Sequence, residues 1–244
     1  ELVDSQIYEE LDAQKSHIDA LVKKELVKTF KVELTRDPYK ALKEGEKSTE
    51  RVVLNEVQTE AFNTLKELYK TSEPRAALLY GVTGSGKTSV IKKMIDEVIN
   101  DGRGVIILVP EISLTPQTVS VFCSYYKDSV AVIHSSLSAG ERFDTYKRIL
   151  DGDAKIVIGT RSAVFAPVKN LGMIVIDEEQ EHTYKSETNP KYSAHDVARF
   201  RCAKSNALML LASATPSLES FYKAMEGTYT LVKMMTRFGK ATLP

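Results

Sequence analysis

The chain has 244 residues, 43% apolar and 27% charged, which suits one large domain or a medium domain with a small appendage and excludes disorder, collagen-like repeats and a coiled coil. Lys plus Arg and Asp plus Glu both total 33, so no global field draws the molecule to nucleic acid or an acidic membrane, and any nucleic-acid contact has to be local. The only two cysteines, Cys123 and Cys202, cannot build a disulfide framework and form no CxxC pair, which fits a reducing, cytoplasmic compartment, and the longest apolar runs (105–110, 171–176, 207–212) fall far short of the roughly 20 residues a membrane span needs.

In chain order, Glu1, Leu2, Val3 and Asp4 include neither an initiator Met nor a signal-peptide pattern, so an excised fragment is expected. Residues 1–50 hold 9 Lys/Arg against 12 Asp/Glu, which makes the amino-terminal part acidic and the remainder mildly basic. Ser5 can cap a short helix through Leu11, and Ser16 precedes Ile18, Leu21, Val22, Glu25 and Leu26 at helical spacing. Alternation over 27–34 then predicts a strand that reaches a turn at Asp37-Pro38. Helix, helix, strand is the outline of a partial winged-helix segment over 1–39, and a small packing appendage fits the same pattern. Residues 40–51 are polar and lack apolar periodicity, which predicts a linker.

From residue 52 to 244 short apolar strands, at 76–80, 105–109, 130–134, 155–158, 173–176 and 208–211, alternate with helical stretches such as 87–99, 139–150 and 193–201. This pattern predicts an α/β domain, its mainly parallel sheet covered by helices on both faces. Gly81, Val82, Thr83, Gly84, Ser85, Gly86, Lys87 and Thr88 match G-x-x-x-x-G-K-[ST] between a strand and a helix. Glycines let successive N–H groups and the helix N-terminus face a phosphate, while Lys87 adds a mobile charge and Thr88 a hydroxyl for magnesium.

A second element is the apolar strand ending in Asp177, Glu178, Glu179 and Gln180. At the carboxyl edge of a parallel sheet Asp177 can hold the magnesium shell while Glu178 orients and deprotonates a water. No [NT]KxD sequence occurs, which favours ATP over GTP. A small-molecule kinase shares the phosphate loop but has no need of the acidic run followed by Ser213, Ala214 and Thr215 after the next strand. That order is the pattern of a helicase motor.

With these motifs, and with the segments 110–117, 159–167 and 213–216, the chain resembles superfamily 2 DNA helicases and, within them, the PriA-type replication-restart family. The resemblance implies a first RecA-like lobe over 52–244 of an ATP- and Mg2+-dependent 3′ to 5′ DNA helicase. Gln58, with Leu54 and Asn55, looks like the family's adenine-reading element. Thr115 and Gln117, and the Thr160, Arg161, Ser162 turn, look like its single-strand DNA contacts. The loop carrying Tyr184, Lys185, Lys191 and Tyr192 resembles its aromatic-rich loop, whose rings can stack on bases. Gln180, with Ser213, Ala214 and Thr215, is expected to couple the acidic element to the strand that follows. Gln180 stands where the family commonly has His, and an amide can hydrogen-bond there without carrying a proton charge. By the same resemblance the partners are single-stranded and forked DNA and the proteins of the primosome that load the replicative helicase, and zinc belongs only to a cysteine cluster this chain lacks. Another superfamily 2 translocase, or a nucleotide-dependent DNA-binding module without motor activity, has the same phosphate and acidic elements.

Overall fold

The computed structural model describes residues 14–29, 36–44, 52–71 and 73–237, in two compact units, Glu1–Thr35 and Arg36–Pro244. In the first unit the described helix is α1 (Lys15–Lys23), with Ile18 buried. Its cap is Gln14, whose backbone N donates to Nδ1 of His17 at 3.2 Å, one residue pair earlier than a Ser16 start allows. Glu25 has φ 57°, so the helix ends before Glu25 and Leu26 can extend it. The expected helix from Ser5 through Leu11 and residues 30–34 of the expected strand lie outside the described residues, and 27–29 are not strand.

In the second unit the chain continues as α2 (Lys40–Glu44), α3 (Glu56–Lys70), β1 (Arg75–Gly81), α4 (Lys87–Asn100), β2 (Gly104–Leu108), α5 (Pro116–Tyr126), β3 (Val130–Ile133) and α6 (Ala139–Asp151). It is completed by β4 (Ile156–Gly159), β5 (Leu171–Asp177), α7 (Ala194–Ser205), β6 (Leu208–Ser213), α8 (Leu218–Met225) and β7 (Thr230–Met234). The seven strands form one sheet in the order β3-β4-β2-β5-β6-β1-β7, with every pair parallel. Parallel strands send their side chains alternately to two faces, so both faces need covering. Leu79, Ile107 and Val175 pack with Leu65, Met94 and Phe122 of α3, α4 and α5. Leu78, Ile106 and Ile174 pack on the other face with Ile149, Ala198 and Cys202 of α6 and α7. Both cysteines are buried and free. No helix among the described residues is long and apolar enough to cross a membrane.

The polar stretch expected as a linker begins as a helix. Asp37 Oδ2 accepts from Lys43 Nζ at 2.5 Å and from Arg148 Nη1 at 3.0 Å, while Lys43 also donates to the backbone oxygen of Val130 at 2.8 Å. Lys43 is thereby buried. Apolar periodicity missed this segment because its fastening to β3 and α6 is largely polar, with Leu42 its one described apolar side chain packed against the core. Residues 45–51 lie outside the described set.

Candidate nucleotide and nucleic-acid site

Because every strand runs the same way, the segments that follow β1, β2, β4, β5 and β6 all emerge at one edge of the sheet. Register sets their heights: Tyr80 pairs with Ser213, and Asp177 with Ala212, so the phosphate loop, the acidic run and the Ser213 turn meet side by side.

After β1, Gly84 and Gly86 adopt φ 79° and 85°, which the loop requires to turn its N–H groups toward the start of α4. Lys87 Nζ donates to the backbone oxygen of Gly81 at 2.7 Å. Burial lowers the Lys87 pKa, opposed by the charges of Glu178 and Asp177, so both carboxylates act on the amine. The Ser85 hydroxyl is buried and has no protein partner. Thr83, Gly84 and Thr88 are exposed, whereas Val82 N donates to Met234 O at 3.3 Å. This donor set suits a polyphosphate: curled backbone, one cation, an exposed hydroxyl and an orphaned one.

Gln58 is not an open reader of a base in this structure. It is 1% exposed, its Oε1 accepts from Asn55 N at 3.0 Å and its Nε2 donates to Ser85 O at 3.1 Å. Asn55 Oδ1 accepts in return from Gln58 N at 2.9 Å, a reciprocal cap that starts α3. Both arms of the amide therefore hold backbone.

Asp177, at the end of β5, has its pKa raised to about 6 by burial and by the adjacent Glu178 charge, against the lowering effects of the Glu178 backbone N–H and of Lys87. Glu178 sits at φ 46°, a left-handed conformation that strains a residue with a Cβ. Its Oε2 accepts from Gln180 Nε2 at 3.0 Å, Gln180 Oε1 accepts from Ser213 Oγ at 2.6 Å, and Ser213 Oγ accepts from Thr215 N at 2.9 Å. A single amide thus ties Glu178 to the turn that includes Ala214.

Glu179 received no role from its position in the motif. It is 2% exposed, and its two oxygens accept from Ser217 N at 2.6 Å, Ser217 Oγ at 3.1 Å and Ser220 Oγ at 2.7 Å, with His195 Nε2 at 3.6 Å. Burial raises its pKa, but these hydrogen bonds together outweigh burial and hold the carboxyl below its ordinary value. The sequence signal was present in Ser217 and Ser220 spaced at a helix start, without an indication of which acid they face.

The expected DNA-contacting residues fall into two groups. Thr115 caps α5, and it, Gln117, Ser162, Lys185 and Lys191 are exposed. Thr160 is buried and lines a cleft of about 330 Å3 with Pro116, Ser135, Ser136 and Tyr39. Arg161 and Tyr184 depart from expectation. Arg161 Nη1 donates to the backbone oxygens of Thr183 (3.1 Å) and Lys185 (2.7 Å), so its head braces a loop in place of a free phosphate grip. Tyr184 is 1% exposed, in the core with Ile176 and Leu211, and has no face open to a base. A tyrosine in a polar loop reads as exposed, but this one buries its ring and satisfies its hydroxyl on backbone oxygens. Tyr192 is half-buried at the loop's far end.

Residues 55–224 match the sequence model of the DEAD/DEAH box helicase family. Replication restart protein PriA of Bacillus subtilis is 41% identical over 240 residues, covering 98% of this chain and 30% of that protein. The protein of the same name from Haemophilus influenzae is 41% identical over 192 residues, 79% of this chain and 26% of its own length. The chain therefore spans less than a third of these curated relatives. Among solved structures, RecG bound to a three-way DNA junction overlays with a TM-score of 0.59 at 23% identity, covering 80% of this chain and 25% of RecG. The Pyrococcus furiosus Hef helicase domain gives 0.51 at 17% identity, over 70% of this chain and 37% of that one, so both support the helicase RecA-like fold. With the phosphate loop, the acidic run and the Ser213 turn at one sheet edge and the family model matched through all three, the chain belongs to the DEAD/DEAH box helicase family.

Proposed function

We propose that this chain is the first motor lobe of a PriA-type replication-restart helicase, binding ATP with Mg2+ and single-stranded DNA within a protein that moves 3′ to 5′, opens forked DNA and works with primosome and helicase-loading proteins. The observation that supports this reading is the Gln180 amide bonded to both Glu178 and Ser213, beside a Lys87 amine that feels both carboxylates.

ATP-Mg supplies the phosphoryl group and a divalent charge. Toward it, the curled 81–88 backbone offers N–H groups, Lys87 would give up the Gly81 oxygen for a phosphate oxygen, and Thr88 and Asp177 would hold the Mg2+. Glu178 orients water and takes its proton. Gln58, seated on Ser85, positions the loop through its backbone and meets adenine only after giving up one of its present bonds. Thr115, Gln117, Thr160 and Ser162 hold strand phosphates with hydroxyls, an amide and backbone, which fixes a strand without reading its sequence. ATP hydrolysis by the full-length protein, with and without forked DNA, tests the reading. Stimulation by DNA is expected; equal rates would reduce the lobe to a nucleotide-dependent binding module.

A further inference from the structure

Tyr39 precedes α2 and belongs to none of the helicase motifs, yet its ring reaches the sheet edge where those motifs emerge. Its place is fixed from behind: Asp37 Oδ1 accepts from Tyr39 N at 3.0 Å, and Asp37 Oδ2 is paired with Lys43 and Arg148. The phenolic oxygen lies 2.6 Å from Nε2 of His134, the residue after β3, and the two rings stand edge-on at 80°. This pair lines the cleft of about 330 Å3 together with Glu111, Leu114, Pro116, Ser135, Ser136 and Thr160. Pro116 separates Thr115 from Gln117, so the cleft opens among residues already assigned to strand phosphates. Glu111, after β2, is the one formally charged side chain among the described residues of that lining, and its carboxylate accepts from Ser135 Oγ at 3.4 Å. His134 is then the one group of that lining that can become a cation near neutral pH. Burial lowers its pKa, with Glu141 of α6 opposing the effect and Arg142 adding to it. Burial also raises the pKa of Tyr39, and Cys123 of α5, Asp37 and Glu141 act in the same direction. Both partners are therefore uncharged at neutral pH and share one proton between oxygen and nitrogen.

We propose that Tyr39 is an autoinhibitory strap on a phosphate subsite: its hydroxyl occupies the His134 imidazole, which takes a phosphodiester of single-stranded DNA when Tyr39 lets go. This rests on the reading of the lobe as a DNA-binding motor and adds a gated, proton-linked contact outside the motifs that reading uses. On binding, His134 gains one proton from water, and its Nε2–H donates to a phosphate oxygen while the Tyr39 hydroxyl turns to solvent. One neutral hydrogen bond is thus exchanged for a charge-assisted one, the stronger kind. A phosphate raises the imidazole pKa above its value in the free protein. Strand affinity therefore rises as pH falls through the bound value and levels off below the free one. Glu111 repels the phosphate while His134 is neutral and stabilises the imidazolium once it forms, so cleft occupancy and proton uptake are coupled.

The test uses the full-length protein and fluorescence anisotropy with an oligothymidine at one fixed salt concentration, because phosphate contacts depend steeply on salt. Affinity is read at about pH 6 and about pH 8, on either side of the ordinary range of an imidazole. Tyr39→Phe keeps the ring and its packing but frees Nε2, and should bind the strand about 2- to 10-fold more tightly, the worth of one hydrogen bond. The unmodified protein should bind about 3- to 10-fold more tightly at the lower pH, and His134→Gln, whose amide reaches as far but takes no charge, should lose that excess. Tyr39→Phe added to His134→Gln should gain far less than Tyr39→Phe alone, since the freed group is gone. Tyr222→Phe, which removes an exposed hydroxyl from α8, serves as the control and should change neither affinity nor its pH dependence. Inorganic phosphate at equal ionic strength separates the two sources of the anion: if it reverses the gain of Tyr39→Phe, the cleft takes a free phosphate and the strand assignment is overturned. If the unmodified protein binds no strand at either pH, the motor reading and the strap both fall. If it binds and Tyr39→Phe binds equally, or if Tyr222→Phe gains as much, only the strap falls. Weaker binding by Tyr39→Phe would make Tyr39 a strand contact in place of a strap, and a pH dependence that survives in His134→Gln would remove His134 as the cation; either overturns the proposal.

Discussion

The phenolic hydroxyl of Tyr184 lies 2.6 Å from the backbone oxygen of Asp177 and 3.1 Å from that of Leu108, so one buried proton bridges the ends of two neighbouring strands. Burial, with four nearby carboxylates, pushes its pKa up, and the group remains a neutral donor. Tyr184→Phe keeps the ring and leaves both oxygens without that donor, so stability should fall by about 1–2 kcal/mol. Chemical denaturation measures this directly. Strand affinity at saturating stability should be unchanged, the opposite of the outcome for a residue that stacks on a base.

Glu179 performs a related task on the other side of the acidic run. Its carboxylate holds the first turn of α8 through Ser217 and Ser220, and α8 follows directly on the Ser213 turn. Glu179→Ala leaves three donors unpaired in a buried place, and a loss of about 2–4 kcal/mol is expected, since breaking a charge-assisted network costs more than a single neutral bond. Glu179→Gln keeps an acceptor and should recover part of it. A melting curve for Glu179→Ala that overlays the unmodified protein would show that α8 is held by packing alone.

The sheet was legible in the sequence because six of its strands are continuous apolar runs, and a doubly covered parallel sheet demands them. The seventh, β7, is an edge strand whose exposed Lys233 breaks the run, and local pattern alone does not reveal a partner as distant as β1. The phosphate loop and acidic run were legible for a chemical reason: glycines, a lysine and carboxylates at fixed spacing have few structural uses. Hydrogen-bond partners were not. Gln58 on Ser85, Glu179 on Ser217, and Asp37 on Arg148 are all long-range pairings of ordinary polar residues, set by tertiary geometry. Residues of the same types face water in most proteins, so composition and period do not mark them.

Two glycines of the phosphate loop separate backbone strain from crowding. A Cβ on Gly84 would meet nothing within 4 Å, whereas one on Gly86 would lie 2.1 Å from Gln58 Nε2. Both have positive φ, so each alanine variant should lose about 1–2 kcal/mol from the left-handed backbone. Gly86→Ala should lose more, because Gln58 must also leave Ser85 O. Adding Gln58→Ala to Gly86→Ala should therefore cost less than the two single effects summed, while Gln58→Ala with Gly84→Ala should be additive. Denaturation midpoints of the six proteins, the unmodified one and five variants, complete both cycles, and equal coupling in the two would remove the role given to the Gln58 contact.

Lys87 and Glu178 carry opposite charges at one site, and their variants should separate binding from chemistry. The Lys87 amine feels both carboxylates, and at present it reaches only the Gly81 oxygen. Lys87→Ala removes the one cation of the loop and leaves Asp177 and Glu178 unbalanced, so a polyanion should bind more weakly, by about 10-fold or more at one charge-assisted contact. Glu178→Gln removes a negative charge and keeps an oxygen that can still accept from Gln180 Nε2, so the bridge to Ser213 survives. Nucleotide affinity should hold or rise. Turnover should fall by about 10²- to 10⁴-fold, because an amide is a poor acceptor for the proton of the attacking water. Calorimetric titration with ATP-Mg, paired with steady-state hydrolysis in the full-length protein, reads both quantities for both variants. If Glu178→Gln turns over ATP as the unmodified protein does, the base is another group. If Lys87→Ala binds ATP-Mg undiminished, the 81–88 loop is not where the phosphates sit.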